Sequence, residues 1–200
     1  MKIFAIGRNY AEHAKELGNE VPSEPVIFMK PDTALLELGD DFRYPEFSQE
    51  IHYELEVVLH VSKHGRNISR ESAREYFDAV TVGIDFTARD LQAKCKAKGL
   101  PWEISKSFDG SAAVGQFVQV PESPEYDFTL LKNGTLCQAG NTRDMLNDCE
   151  SLIHAISRYF TLNPGDLIFT GTPSGVGPVA VGDVFEGFLA DQSLLKCAIL

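Results

Sequence analysis

Apolar residues in this chain come mostly in short runs cut by polar, glycine or proline positions. Runs of this kind, rich in β-branched and aromatic residues, predict strands over residues 1–7, 26–30, about 51–61 and 80–86. Asn9 can cap a short helix over residues 10–17, closed by Gly18. A turn-rich passage over residues 39–48 precedes the third strand. Ser69 can cap a helix over residues 71–77. Thr87 and Asp90 have capping-box spacing at the start of a helix that ends near Gly99. In the second half, Asn133-Gly134 between residues 128–132 and 135–138 predicts a type I′ hairpin. Met145, Cys149, Leu152, Ile153, Ile156 and Phe160 recur at helical spacing and predict one long amphipathic helix, stopped by Asn163-Pro164-Gly165-Asp166. Strands near residues 167–170, 184–189 and 194–199 follow. Strands dominate, and helices do not alternate regularly with them. The expected fold is therefore α+β, with a β-rich mixed or antiparallel core, a few short helices and one longer helix.

No internal repeat or low-complexity segment interrupts this pattern. A length of 200 residues suits a single domain, residues 1–200. The net charge of -11 comes without a basic run, which argues against nucleic-acid binding and against attraction to anionic membranes. No stretch approaches the roughly 18 apolar residues of a membrane span, and the first apolar run is too short for a signal peptide. Cys95, Cys137, Cys149 and Cys197 lie far apart and read as reduced thiols rather than a disulfide frame or zinc site. Together these point to a cytoplasmic protein.

The most informative chemistry is a set of three acids. Glu54 and Glu56 stand two apart in a predicted strand, so their side chains share one face, with Leu55 and Val57 on the other. Asp85 lies on another predicted strand. If brought together, the three carboxylates would repel, and their pKa values would rise unless a cation joined them. An all-oxygen ligand set favours Mg²⁺, Mn²⁺ or Ca²⁺ over Zn²⁺ and leaves room for a chelating 2-oxo acid. Taken alone, Glu-x-Glu also fits a solvated strand face.

Other residues allow two readings each. His13 and Glu16 share a helix face, which suits an oriented general base or a surface pair of little energetic value. Lys30 and Lys106 interrupt apolar runs, as a lysine does when it pairs with a buried acid, holds a substrate carboxylate, or ends a strand in solvent. The Gly171–Pro178 loop offers backbone N–H groups and the Thr172 hydroxyl to a carboxylate, or is simply a tight turn. It lacks the Gly-Lys-Ser/Thr ending of a P-loop. There is no Gly-x-Ser-x-Gly elbow, and Trp102 is expected in the core or a pocket wall.

Read in order, the segments Gly7-Arg8-Asn9-Tyr10-Ala11-Glu12-His13, Glu24-Pro25-Val26-Ile27-Phe28-Met29-Lys30-Pro31, His52-Tyr53-Glu54-Leu55-Glu56, Asp85-Phe86-Thr87-Ala88-Arg89-Asp90-Leu91-Gln92, Lys98-Gly99-Leu100-Pro101-Trp102 through Lys106-Ser107-Phe108-Asp109-Gly110, and Thr170-Gly171-Thr172-Pro173-Ser174-Gly175-Val176-Gly177 form an ordered set. The set resembles the fumarylacetoacetate hydrolase family, especially its short acylpyruvase and oxaloacetate-decarboxylase branch. The resemblance implies a homodimer and Mg²⁺ or Mn²⁺ held at Glu54, Glu56 and Asp85. It implies a His13–Glu16 dyad on a segment that orders over bound ligand, Lys106 as the active-site lysine, and Arg8, Gln92 and Thr172 as substrate contacts. The implied reaction is C–C hydrolysis of an acylpyruvate-type 2,4-dioxo acid to pyruvate and a carboxylic acid. Oxaloacetate decarboxylation and 2-oxo-enoate isomerisation on the same site are the alternatives. A non-catalytic protein that binds metal and oxo acids is a more distant one.

Overall fold

The computed structural model describes every residue of the chain except Leu17, Asn19, Glu37, Pro121, Glu122 and Pro124. An eight-stranded mixed sheet forms its centre. Across it run Val26–Lys30, Ile3–Gly7, Leu167–Phe169, Leu55–Val61, Phe77–Asp85, Ala112–Val114 and Leu35–Leu36, with Val118–Gln119 also paired to Phe77–Asp85. Ile3–Gly7 runs parallel to Leu167–Phe169, and the Leu55–Val61 and Phe77–Asp85 strands are antiparallel. Alternation along the strands sends Phe4 and Ile6 into the larger core and Ile3 and Ala5 into a smaller one. The expected β-rich α+β architecture is what the chain adopts.

A second, four-stranded antiparallel sheet consists of Thr135–Asn141, Asp127–Lys132, Val184–Leu189 and Gln192–Ala198. Its hairpin turns at Asn133 (φ 53°) and Gly134 (φ 77°), the paired positive φ angles of a type I′ turn. The two sheets pack closely at Gly187, where a Cβ would come within 3.1 Å of Val82.

Three local expectations are corrected. The strand over residues 51–61 breaks at Glu54: Ile51–Tyr53 joins a small sheet with Thr87–Ala88 and Gly177–Pro178, while Leu55–Val61 stays in the central one. The capping box does not form. The helix Arg89–Lys98 starts after Ala88 with no side-chain cap, because Asp90 instead accepts from Ser48 Oγ at 2.7 Å and Thr87 turns inward. The long helix is Cys149–Tyr159, capped by Asp148, and Met145 lies outside it, bridged to Tyr10.

Smaller differences follow the same logic. Ser69 does cap a helix, but Arg70–Ala73 passes into a 3-10 turn and Phe77 already belongs to a strand. The first helix is Ala11–Glu16, and its expected end at Leu17 lies outside the described residues. Asn9 does not spend its side-chain oxygen on that helix. Its Oδ1 accepts from the Asn147 N–H at 2.9 Å while its Nδ2 donates to Thr170 O at 2.8 Å, tying three segments together. Among the described residues, no helix is long and apolar enough to cross a membrane.

Candidate active site

The strand break is what assembles the site. Leu55–Val61 and Phe77–Asp85 run side by side in the central sheet, and both strands leave it at the same level, one at Glu54 and the other at Phe86. They pair again in the small sheet through His52 and Thr87. The Asp85 N–H donates to Glu54 O at 2.9 Å across this transition. One oxygen from each of Glu54, Glu56 and Asp85 lies within 4.8 Å of the others, and all three residues are buried.

Three cations oppose the three acids. Lys106 Nζ donates to Asp85 Oδ2 at 2.7 Å, Glu54 Oε2 at 2.8 Å and Thr87 Oγ1 at 2.6 Å, which uses all its N–H groups. Arg89 Nη2 pairs with Glu54 Oε1, and Arg89 Nη1 donates to Gln92 Oε1 at 2.8 Å. Lys30, fully buried, stands 2.7 Å from Asp85 Oδ1 and donates to Ser111 O, Ser111 Oγ and the Lys106 carbonyl. So both lysines that interrupt apolar runs pair with a buried acid. Neither ends a strand in solvent.

The titration behaviour is split. Burial pushes Glu56 well above the ordinary carboxyl range, and the Asp85 and Glu54 charges push it further. Burial also opposes ionisation of Glu54, but the Lys106 and Arg89 charges outweigh it and hold Glu54 well below that range. The general rise expected for clustered acids therefore falls on Glu56, which accepts from the Gly171 N–H at 2.6 Å. Lys106 is driven upward: burial opposes its charge, and Asp85 and Glu54 more than compensate.

A hard divalent cation fits this donor set. The ligands are all carboxylate oxygens, Glu56 has no ion pair among the described residues, and Asp85 Oδ1 is buried with no aimed hydrogen bond despite the nearby Lys30 charge. A buried carboxylate oxygen that accepts no hydrogen bond, beside two other acids, suits a metal ligand.

The pocket over the acids is lined by His13, Arg8, Phe28, Gln92, Lys96 and Thr172, among others, with Trp102 in its wall. His13 is buried, and its Nδ1 meets Glu16 Oε2 at 3.1 Å. Glu16 in turn accepts from the Gly175 N–H at 3.1 Å. The Gly171–Pro178 loop thus contacts both acid groups, through Gly171 to Glu56 and through Gly175 to Glu16. Thr172 is buried, accepts from Gln138 Nε2 at 2.9 Å and faces the pocket. Of the nine residues expected as metal ligands, catalytic groups or substrate contacts, eight line this one pocket and Glu16 reaches it through His13.

The sequence reading missed Arg89, Gln138 and Lys96. Arg89 and Gln92 stand three apart on one helix face, a spacing that could have exposed the pair. Gln138 sits in the hairpin strand and ties Leu55 N–H, Thr172 and Pro173 together. No local pattern marks it.

The fold and this acid-lined pocket define a family. The profile of the fumarylacetoacetate (FAA) hydrolase C-terminal family matches residues 2–199, and the chain belongs to that family. It is 44% identical over 189 residues to the mitochondrial oxaloacetate decarboxylase of Dictyostelium discoideum, covering 92% of this chain and 87% of that protein. It is 41% identical over 187 residues to the mitochondrial oxaloacetate tautomerase of Bos taurus, covering 92% and 85%. Among solved structures, the fumarylpyruvate hydrolase from Pseudomonas aeruginosa in complex with Mn²⁺ and pyruvate superposes with a TM-score of 0.94 at 34% identity, covering 100% of this chain and 89% of that one.

Proposed function

We propose that this chain is a divalent-metal-dependent enzyme that works through the enolate of a 2-oxo acid, with an oxaloacetate-type 2-oxo dicarboxylate as its substrate. The observation that carries the reading is the buried Glu54–Glu56–Asp85 cluster opening onto a cation-lined pocket. Two relatives at 41% or more identity are named for oxaloacetate, which supports the substrate class.

A bound Mg²⁺ or Mn²⁺ held by the three acids would supply Lewis-acid polarisation of the 2-oxo group. Arg8, Gln92 and Thr172 orient the substrate from the pocket wall. Lys106 Nζ, at the edge of the acid cluster, offsets oxyanion charge as it forms. His13 moves the proton. With Nδ1 donating to Glu16, Nε2 is the basic nitrogen, and the Glu16 carboxylate stabilises the imidazolium. His13 can take a proton from C3 and deliver it to the 2-oxo oxygen, or carry it the other way, which interconverts keto and enol forms. It can also protonate C3 after CO₂ has left.

The second reading is C–C hydrolysis of an acylpyruvate, favoured by the same dyad, since an oriented imidazole can equally activate water. The test is conversion of oxaloacetate and of acetylpyruvate, side by side, with Mg²⁺ and with EDTA. EDTA-sensitive conversion of oxaloacetate is expected. Faster EDTA-sensitive cleavage of acetylpyruvate would favour hydrolysis, and no EDTA-sensitive conversion of either would overturn both. A homodimer is carried over from the family resemblance, and sedimentation velocity tests it. Four free cysteines suit the reducing cytoplasm.

A further inference from the structure

The pocket holds more positive charge than its acids account for. Lys30, Lys106 and Arg89 each face a carboxylate of the cluster. Arg8 and Lys96 also line the pocket, yet neither has a carboxylate at ion-pair distance among the described residues. Lys96 also lies over an aromatic ring, and Arg8 carries a strained backbone.

Lys96 is exposed on the helix Arg89–Lys98, on the same face as Arg89 and Gln92. Along that row, Arg89 grips Glu54 and Gln92 accepts from Arg89. Among the described residues, Lys96 is the member of that row with no hydrogen bond or ion pair. Its Nζ lies 5.9 Å from the centre of the Trp102 ring, which packs edge-on against Phe28 at 5.9 Å. This aromatic wall keeps the ammonium by the pocket. Partial burial and then the Arg8 and Arg89 charges hold Lys96 below the ordinary lysine range. Arg8 has a left-handed backbone, φ 60°, which is strained in a non-glycine residue. Such strain persists where the surroundings impose it, and functional sites are where it clusters.

Two like charges with no carboxylate at ion-pair distance among the described residues, in one pocket with Arg89, suit an anion. The metal-ligand end of the pocket already accounts for the 2-oxo group and its neighbouring carboxylate. We propose that Lys96, with Arg8, receives the second carboxylate of the substrate, making Lys96 a specificity-determining residue that selects 2-oxo dicarboxylates over acylpyruvates with uncharged tails.

This rests on the 2-oxo acid reading above, and it also bears on the choice of reaction. Loss of CO₂ from oxaloacetate breaks the C3–C4 bond, leaves the electron pair on the enolate and removes the negative charge from the departing carboxylate. A carboxylate held by two cations resists that step. Moving a proton from C3 to the 2-oxo oxygen leaves the distal carboxylate ionised and in place. Lys96 and Arg8 therefore tilt the site towards keto–enol interconversion.

The test compares Lys96→Met and Lys96→Arg with the wild type, Mg²⁺ present, on oxaloacetate and on acetylpyruvate. Loss of a charged hydrogen-bond partner predicts a fall in kcat/KM for oxaloacetate of at least about tenfold in Lys96→Met, carried by KM. Acetylpyruvate should change less than about threefold on the same scale. Lys96→Arg should restore oxaloacetate. Lys96→Met should also release more CO₂ per keto–enol event. Equal losses on both substrates, or no loss on oxaloacetate, would overturn the assignment of Lys96. A wild type that converts neither substrate would instead overturn the 2-oxo acid reading, and this inference with it.

Discussion

Glu56→Gln should stabilise the metal-free protein and remove its response to metal. Glu56 is buried, with ligand oxygens of Glu54 and Asp85 within 4.8 Å. At that distance each like-charge pair costs about 3.5 kcal/mol at an effective dielectric of about 20. Lys106 offsets part of this cost, as does the Gly171 N–H. Gln keeps the volume and can still accept from Gly171. Relief of one poorly compensated buried charge gives a net gain of about 1–3 kcal/mol. In a chain of this size that is an increase of about 2–12 °C in Tm. The folded-state pKa of Glu56 lies above its unfolded value, so the wild type is most favoured in acid and loses this contribution as pH rises through the folded pKa. The variant has no such loss, and the gap between the two should widen from pH 5 to pH 8. Mn²⁺ at about a hundredfold over Kd should stabilise the wild type by about 2.7 kcal/mol; the variant, lacking one charged ligand, should gain far less. Melting curves with EDTA and with Mn²⁺ at both pH values check each sign. A metal-free variant that melts below the wild type at pH 8, or an equal Mn²⁺ shift in both, would refute the reasoning.

Three other variants probe separate parts of the site. His13→Ala should slow conversion of the 2-oxo acid by at least about a hundredfold while keeping the Mn²⁺ shift in Tm; a wild-type rate would remove His13 from the mechanism. Gly171→Ala places a Cβ 2.7 Å from Asn9 Cβ at a φ of +101°, so it should lower stability by about 2 kcal/mol or more and weaken the Mn²⁺ shift through Glu56. Unchanged melting would contradict the close approach. Gln138→Ala leaves the buried Leu55 N–H without its 2.9 Å acceptor and should cost about 1–3 kcal/mol in urea unfolding. An unchanged urea midpoint would show that the amide is satisfied some other way.

The sequence disclosed the ligands more readily than their surroundings. Alternation placed Glu54 and Glu56 on one face, and their carboxylates do converge. The reason differs: the strand breaks at Glu54, and two sheets meet there. That break is a tertiary effect, set by pairing of His52 with Thr87, and it has no local signature. The capping box at Thr87 and Asp90 failed for a related reason. Lys106 and Ser48 offer those side chains better partners than the helix N–H groups do. Lys30 and Lys106 stood out because lysine in an apolar run needs an acid. Arg89 did not stand out, because an arginine at a helix start looks like a surface residue until Glu54 is placed beside it. Gln138 was invisible, because its three partners come from strands and loops distant in sequence.

The central claim is that Glu54, Glu56 and Asp85 together hold a divalent cation that the 2-oxo acid chemistry needs. Its most direct test is an anomalous difference map from crystals of the wild-type protein soaked in Mn²⁺. The account predicts one strong peak bonded to an oxygen of each of the three acids, with Asp85 Oδ1 among them. Mn²⁺ found only elsewhere, with Lys106 and Lys30 still holding Asp85 and Glu54 as they do here, would contradict it.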